Sequence, residues 1–379
     1  MPPQRPQDLI VIVGLDPTIY IKQEIKMKLK KIITGALILL TLTTSIFAAK
    51  AKKSDKTNNK LKVVTTIFPE YDWIREILGD NPGKVELTLL LGNGVDLHSY
   101  QPSIQDIAKI ATADIFIYVG GESDGWVKDA LKNATNKNMK AINLLETLGD
   151  KVKAEEIKEG MLAEENEEHE HHHHEGEHDD DDDDHDHEAE EHHHHDDEDE
   201  VEYDEHVWLS LRNAKLLSAE IAAALCEKDS ANAAAYKANL AAYTAKLNTL
   251  DAKYSATVKT ASKNTILFGD RFPFRYLVDD YGLDYFAAFV GCSAETEASF
   301  ETVIFLSKKI DELGLNVVLK IESGDGKIAR TIAQNAKNKN AKVLTLDSIQ
   351  STTAKQAASG TTYLSIMESN LKVLEETLK

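Results

Sequence analysis

From Asn213 to Lys259 the chain contains neither glycine nor proline, and Ala, Leu, Lys and Glu dominate. Apolar residues recur there every three or four positions, which requires a helix. Asp229-Ser230 interrupts the pattern, and serine is a good N-cap. The segment therefore predicts a short helix followed by a long one over Ala231–Lys259, about 40 Å at 1.5 Å per residue. A rod of that length in mid-chain divides the polypeptide into two halves.

Both halves alternate β-branched runs with helical spacing. The first predicts strands at Lys62–Phe68, Val85–Leu91, Ala113–Val119 and Met139–Leu144, with helices at Tyr71–Leu78, Ser103–Ala111 and Trp126–Asn133. The second predicts strands at Thr265–Phe268, Asp284–Phe289, Asn316–Ile321 and Lys342–Leu346. Its helices end near Tyr281, run from about Ser299 to Leu313, start near Ile328, and cover Tyr363–Leu378. Such alternation predicts parallel sheets covered on both faces. The expected class is α/β: two lobes, each with a parallel sheet flanked by helices, joined by a long rigid linker helix. Residues 52–211 form the N-terminal lobe, 212–260 the linker helices and 261–379 the C-terminal lobe, preceded by an extension and signal over 1–51. Ligands of open α/β sheets bind outside the carboxyl ends of the strands, so facing lobes offer a cleft.

Charge is distributed unevenly. The net charge is −21, yet Glu164–Glu205 holds 25 acidic residues and no Lys or Arg, leaving the rest at +4. Neither part offers a basic stripe for phosphates, so nucleic acid is excluded as a partner. Twelve of the 14 histidines lie in the same segment: His169, His171, His172, His173, His174, His178, His185, His187, His192, His193, His194 and His195. Like charges repel and nothing there can bury a core, so residues 164–205 are expected to be a disordered loop. Neutral imidazoles in an acidic background make an auxiliary, low-affinity metal collector, against the alternative of a solvated spacer. Two cysteines exclude a disulfide-dense scaffold and a Cys-rich zinc module.

Met27-Lys28-Leu29-Lys30-Lys31, the apolar run Ile32–Phe47 and Ala48-Ala49-Lys50-Ala51 have the order of a secretory signal over about 27–51. Met27 is the preferred start. The apolar run is shorter than the roughly 20 residues of a spanning helix, the alternative reading. No cysteine follows it, so the expected product is periplasmic and free of a lipid anchor.

The two histidines outside the loop, His98 and His206, sit in segments that read as loops, one after a strand and one before the linker. Asp270 and Asp347 each follow a strand of the second half. Two imidazoles and two carboxylates at strand ends suit a divalent ion, Zn²⁺ or Mn²⁺. Arg271 beside Asp270 offers a competing partner that would remove that carboxylate from the metal.

Several separated motifs resemble the periplasmic zinc/manganese-binding solute receptors of ABC importers, the ZnuA-like family. They are Gly94–Ser103 (GVDLHSYQPS) with Ala113-Asp114, Glu205–Ser210 (EHVWLS), Asn239–Tyr243, and Asp280–Leu283. Ser293–Ser299 (SAETEAS), Leu346-Asp347-Ser348 and Tyr363–Met367 (YLSIM) complete the match, which covers nearly all of Lys62–Leu378. The resemblance implies a receptor, not an enzyme, working with an ABC permease and its ATPase, and a monomer is expected. It also implies His98 and His206 as ligands from the first lobe and Asp347 from the second. Zinc-type members carry a His and manganese-type members a Glu where this chain reads Phe268-Gly269-Asp270-Arg271-Phe272, a departure that leaves Asp270 as the candidate. A histidine-rich loop at this point accompanies zinc-type members.

Three other readings compete with zinc capture. They are a manganese-type receptor, a metal-storage or buffering protein centred on the loop, and a metal-assisted hydrolase with Glu205 or Asp96 as base. Gly324-Asp325-Gly326-Lys327 lacks the first glycine of a P-loop and reads as a turn. Cys226 and Cys292 leave a disulfide open, and Trp73, Trp126 and Trp208 are expected to pack.

Overall fold

The computed structural model describes residues 60–80, 84–161, 202–293, 297–339 and 341–379. The expected signal segment and the twelve loop histidines lie outside the described residues.

The first half is a four-stranded parallel sheet of β1 (Leu61–Thr65), β2 (Val85–Leu89), β3 (Ile115–Tyr118) and β4 (Lys140–Asn143), ordered β2-β1-β3-β4. Central β1 is flanked on both sides, with Val63 opposite Leu87 on β2 and Ile115 on β3. The connecting helices are α1 (Phe68–Leu78), α2 (Ile104–Ala111), α3 (Val127–Lys132) and α4 (Leu144–Leu148). Ser103 starts α2 through a capping box: its hydroxyl accepts from the Asp106 amide, and the Asp106 carboxylate accepts from the Ser103 amide.

The glycine-free stretch forms α5 (Leu211–Lys228) and α6 (Ala233–Thr260), the latter 28 residues long. Ser230 does not cap it. A 3₁₀ turn over Ser230–Asn232 intervenes, and the Asp229 carboxylate holds that turn by accepting from the Tyr236 hydroxyl at 2.7 Å. Tyr236, Tyr243, Leu247, Leu250 and Tyr254 form the buried stripe of α6, spaced as one helical face requires.

The second half pairs β5 (Thr265–Leu267) with β6 (Asp284–Phe286) and β7 (Val317–Lys320) with β8 (Lys342–Thr345), both parallel. A parallel bridge between Phe268 and Leu319 joins the two pairs. The helices are α7 (Arg275–Tyr281), α8 (Phe300–Leu313), α9 (Lys327–Asn335), α10 (Ala354–Ala358) and α11 (Tyr363–Thr377). β6 ends three residues before the expected Phe289, because Phe289 makes only an isolated bridge to Arg271. The five-residue helices α4 and α10 are too short to show a period. Each is set by its cap instead, Asn143 accepting from Glu146 N and Thr353 sharing a capping box with Gln356.

The larger apolar core runs from Val63 on β1 through Trp208 and Tyr254 to Leu374 on α11, and a smaller one gathers Leu306, Ile310 and Ile332 between α8 and α9. The linker helix is packed along this core: Asn239 donates to the Ile77 carbonyl of α1 at 3.0 Å, and the Tyr254 hydroxyl to the Met367 carbonyl of α11 at 2.6 Å. No described helix is long and apolar enough to cross a membrane.

Candidate metal centre

His98 lies on a 3₁₀ turn beyond β2, where Asp96 caps the turn by accepting the His98 amide at 3.1 Å. His206 sits at the foot of α5 and is fully buried. Its amide and its Nδ1 both reach Asp204 Oδ1, at 2.8 and 3.0 Å. His98 Nδ1 meets the Ser123 hydroxyl at 2.7 Å, with Glu205 Oε2 at 3.6 Å behind it. Glu205 is itself held by the Ser123 amide, donating to Oε1 at 2.9 Å. Gly121, at φ +77°, lets this loop approach: a Cβ there would stand 2.3 Å from Glu205 Oε1.

Both rings are therefore oriented through Nδ1, and the Nε2 atoms face each other at 3.1 Å. Orientation through the second nitrogen is how proteins present imidazole to a metal. With Zn–N bonds of about 2.0–2.1 Å, a 3.1 Å separation subtends about 100° at a shared cation, near the tetrahedral angle. Burial, then the neighbouring His206 and Arg271, pull His98 down to about 3, so its imidazole is neutral at pH 7. Burial also opposes charge on His206, but Asp204, Glu205 and Asp96 outweigh it and hold its pKa above the ordinary value.

A third donor comes from the second half. The ligand atoms of His98, His206 and Cys292 all lie within 4.8 Å of one another. Gly291 permits the approach, since a Cβ there would lie 3.3 Å from His206 Cε1 and 3.0 Å from the Phe272 carbonyl. The Cys292 amide donates to Glu155 Oε1 at 2.9 Å. Burial and then the Glu155 charge push the thiol well above its usual range. Gln350, oriented to donate to Asp96 at 2.8 Å, places its amide oxygen 3.0 Å from His206 Nε2.

The two aspartates behave differently. Asp270 lines a cavity of about 530 Å³ together with Asp96, His98, Arg271 and Lys327. Its oxygens accept from the Arg271 amide at 2.9 Å and the Ile321 amide at 3.3 Å, and burial raises its pKa. Asp347 is not among that cavity's lining residues. Its Oδ1 accepts from the Ile349 amide at 2.8 Å, and burial and Glu322 push it up to about 7. Among the described residues neither carboxylate joins a metal-capable set with the two histidines.

Arg271 does not ion-pair with Asp270. Its guanidinium takes Asp96 Oδ2 at 2.7 Å and the Ser293 carbonyl at 3.2 Å, touching Asp270 only through its own amide. Both cysteines are free, which closes the question of a disulfide. Cys292 and Gln350 are the residues that sequence reasoning missed. Their only signal was position: each follows a strand of the second half, as Asp270 and Asp347 do.

Comparison with known proteins points one way. A family model described as "Zinc-uptake complex component A periplasmic" matches residues 63–377. The zinc-binding protein AdcA of Streptococcus pyogenes serotype M6 is 29% identical over 350 residues, covering 90% of this chain and 61% of that protein. The high-affinity zinc uptake system protein ZnuA of Bacillus subtilis strain 168 is 30% identical over 325 residues, covering 86% and 90%. The Zn(II)-bound ZnuA-like domain of Streptococcus pneumoniae AdcA superposes with a TM-score of 0.60 at 26% identity, over 84% of this chain and 99% of that domain. The chain spans about three-fifths of the length of the streptococcal relatives it matches.

Proposed function

The chain belongs to the family of periplasmic zinc-uptake components A, and from that premise we propose that it captures Zn²⁺ outside the cytoplasm and hands it to a membrane ABC permease with its ATPase. The observation that carries this reading is the pair of Nε2 atoms 3.1 Å apart, each ring held through its Nδ1. A neutral His98 and an Asp204-oriented His206 form the core of the binding site. The His/acid-rich loop collects metal ahead of it at many weak sites. In this reading the protein is an extracytoplasmic receptor, and it performs no catalysis. Asp270 acts by building the turn that walls the site, because its oxygens are already committed to backbone amides.

Zinc titration of the chelator-stripped chain against a chromophoric competitor tests this. One tight event should survive deletion of residues 164–201 and vanish in His98→Ala and His206→Ala, while the weak events should follow the loop. If the tight event leaves with the loop and ignores both histidines, the protein is a metal buffer and the receptor reading fails.

A further inference from the structure

We propose that Cys292 ligates the captured ion as a thiolate, making a His₂Cys set of His98, His206 and Cys292 that selects zinc over manganese. The inference rests on the zinc-capture reading and names the donor that reading leaves open. Three observations carry it. The Sγ atom and one ring nitrogen from each of His98 and His206 all lie within 4.8 Å of one another. In a tetrahedral site a Zn–S bond of about 2.3 Å and a Zn–N bond of about 2.0 Å put sulfur about 3.6 Å from nitrogen, so about 1 Å of side-chain movement completes the set. Gly291 brings the loop close against His206, where a Cβ would be tight at 3.3 Å from Cε1, and Glu155 holds the Cys292 amide. The movement that completes the set is asked of the side chain.

Two neighbours in the second half are already engaged. Asp270 gives its oxygens to two backbone amides, and Arg271 is a cation locked on Asp96. A positive group beside the cleft leaves a soft anionic donor on the neighbouring loop as the complement to two imidazoles. Binding exchanges one proton for the metal: the S–H bond breaks, the proton leaves to solvent, and sulfur keeps the electron pair it gives to Zn²⁺. Thiolate is a soft ligand that suits zinc, whereas manganese prefers oxygen donors. Gln350 offers a neutral oxygen, 3.0 Å from His206 Nε2, for a fourth position.

The test loads the full stripped chain with Co²⁺ and reads its absorption. A thiolate ligand gives a sulfur-to-cobalt charge-transfer band in the near ultraviolet, which imidazole and carboxylate do not. The band should appear in the native chain and in Cys226→Ser and be absent from Cys292→Ser. In Cys292→Ser zinc affinity should fall at least about tenfold, and the zinc-to-manganese preference should narrow. Tight Co²⁺ binding that is lost in His206→Ala but shows no thiolate band in the native chain overturns the Cys292 assignment and leaves zinc capture standing. A band unchanged in Cys292→Ser overturns it likewise. A native chain that binds no Co²⁺ or Zn²⁺ tightly overturns both.

Discussion

The histidine side of the site and the carboxylate side were built by opposite uses of hydrogen bonding. His98 and His206 each have one nitrogen engaged by the protein and one turned toward the other ring. Asp270 turns both oxygens onto the amides of Arg271 and Ile321, and Asp347 turns Oδ1 onto the Ile349 amide. An imidazole has two chemically distinct ends, so fixing one presents the other. A carboxylate that accepts from neighbouring amides braces its own loop, and each such bond takes one of its lone-pair sites. A ligand-type residue at a strand end is therefore judged by whether its local bonds leave donor atoms pointing outward.

Substitutions separate the two sides. The largest effect is expected for His206→Ala, which deletes a buried ring: zinc affinity should fall by roughly a hundredfold or more, read by chelator competition. Asp270→Ala should spare zinc affinity within about threefold but lose about 2 kcal/mol of stability in urea unfolding, because two partly buried amides lose their acceptor. Loss of zinc affinity comparable to that of His206→Ala would return Asp270 to the ligand set. Asp204→Asn keeps the shape but weakens the hold on His206 Nδ1, and should cost about tenfold in affinity with little change in unfolding.

The elements of the fold were legible because their periods are long. The 28-residue α6 and the four-stranded sheet both emerge from apolar spacing, and Ser103 and Ser299 mark helix starts as N-caps. His98 and His206 were legible because the rest of the histidines fall in one segment. Cys292 was not, because its role depends on a loop brought against His206 by Gly291, a long-range approach that no local pattern encodes. The partner of Arg271 was hidden for the same reason. Asp270 is its neighbour in sequence, but Asp96, 175 positions away, is its partner in space.

The smallest predicted effect concerns Asp347 and tests whether its side of the site is structural. Burial and the adjacent Glu322 raise its pKa from 3.8 to about 7. The Glu322 carboxylate is meanwhile occupied by Ser348 and Ser351. A carboxyl with a raised folded-state pKa favours the folded state while protonated. Between pH 4 and 7 the unfolded chain gives up a proton that the folded chain retains, so stability falls as pH rises through that window and levels off above it. Asp347→Asn keeps an oxygen for the Ile349 amide but cannot ionise. Urea unfolding in the presence of chelator should therefore find Asp347→Asn more stable than the native chain at pH 8. At pH 4 the two should be nearly equal. Parallel pH profiles for the two chains would mean that Asp347 is ionised without penalty in the folded protein, and would place it with the histidines as a group held ready for a cation.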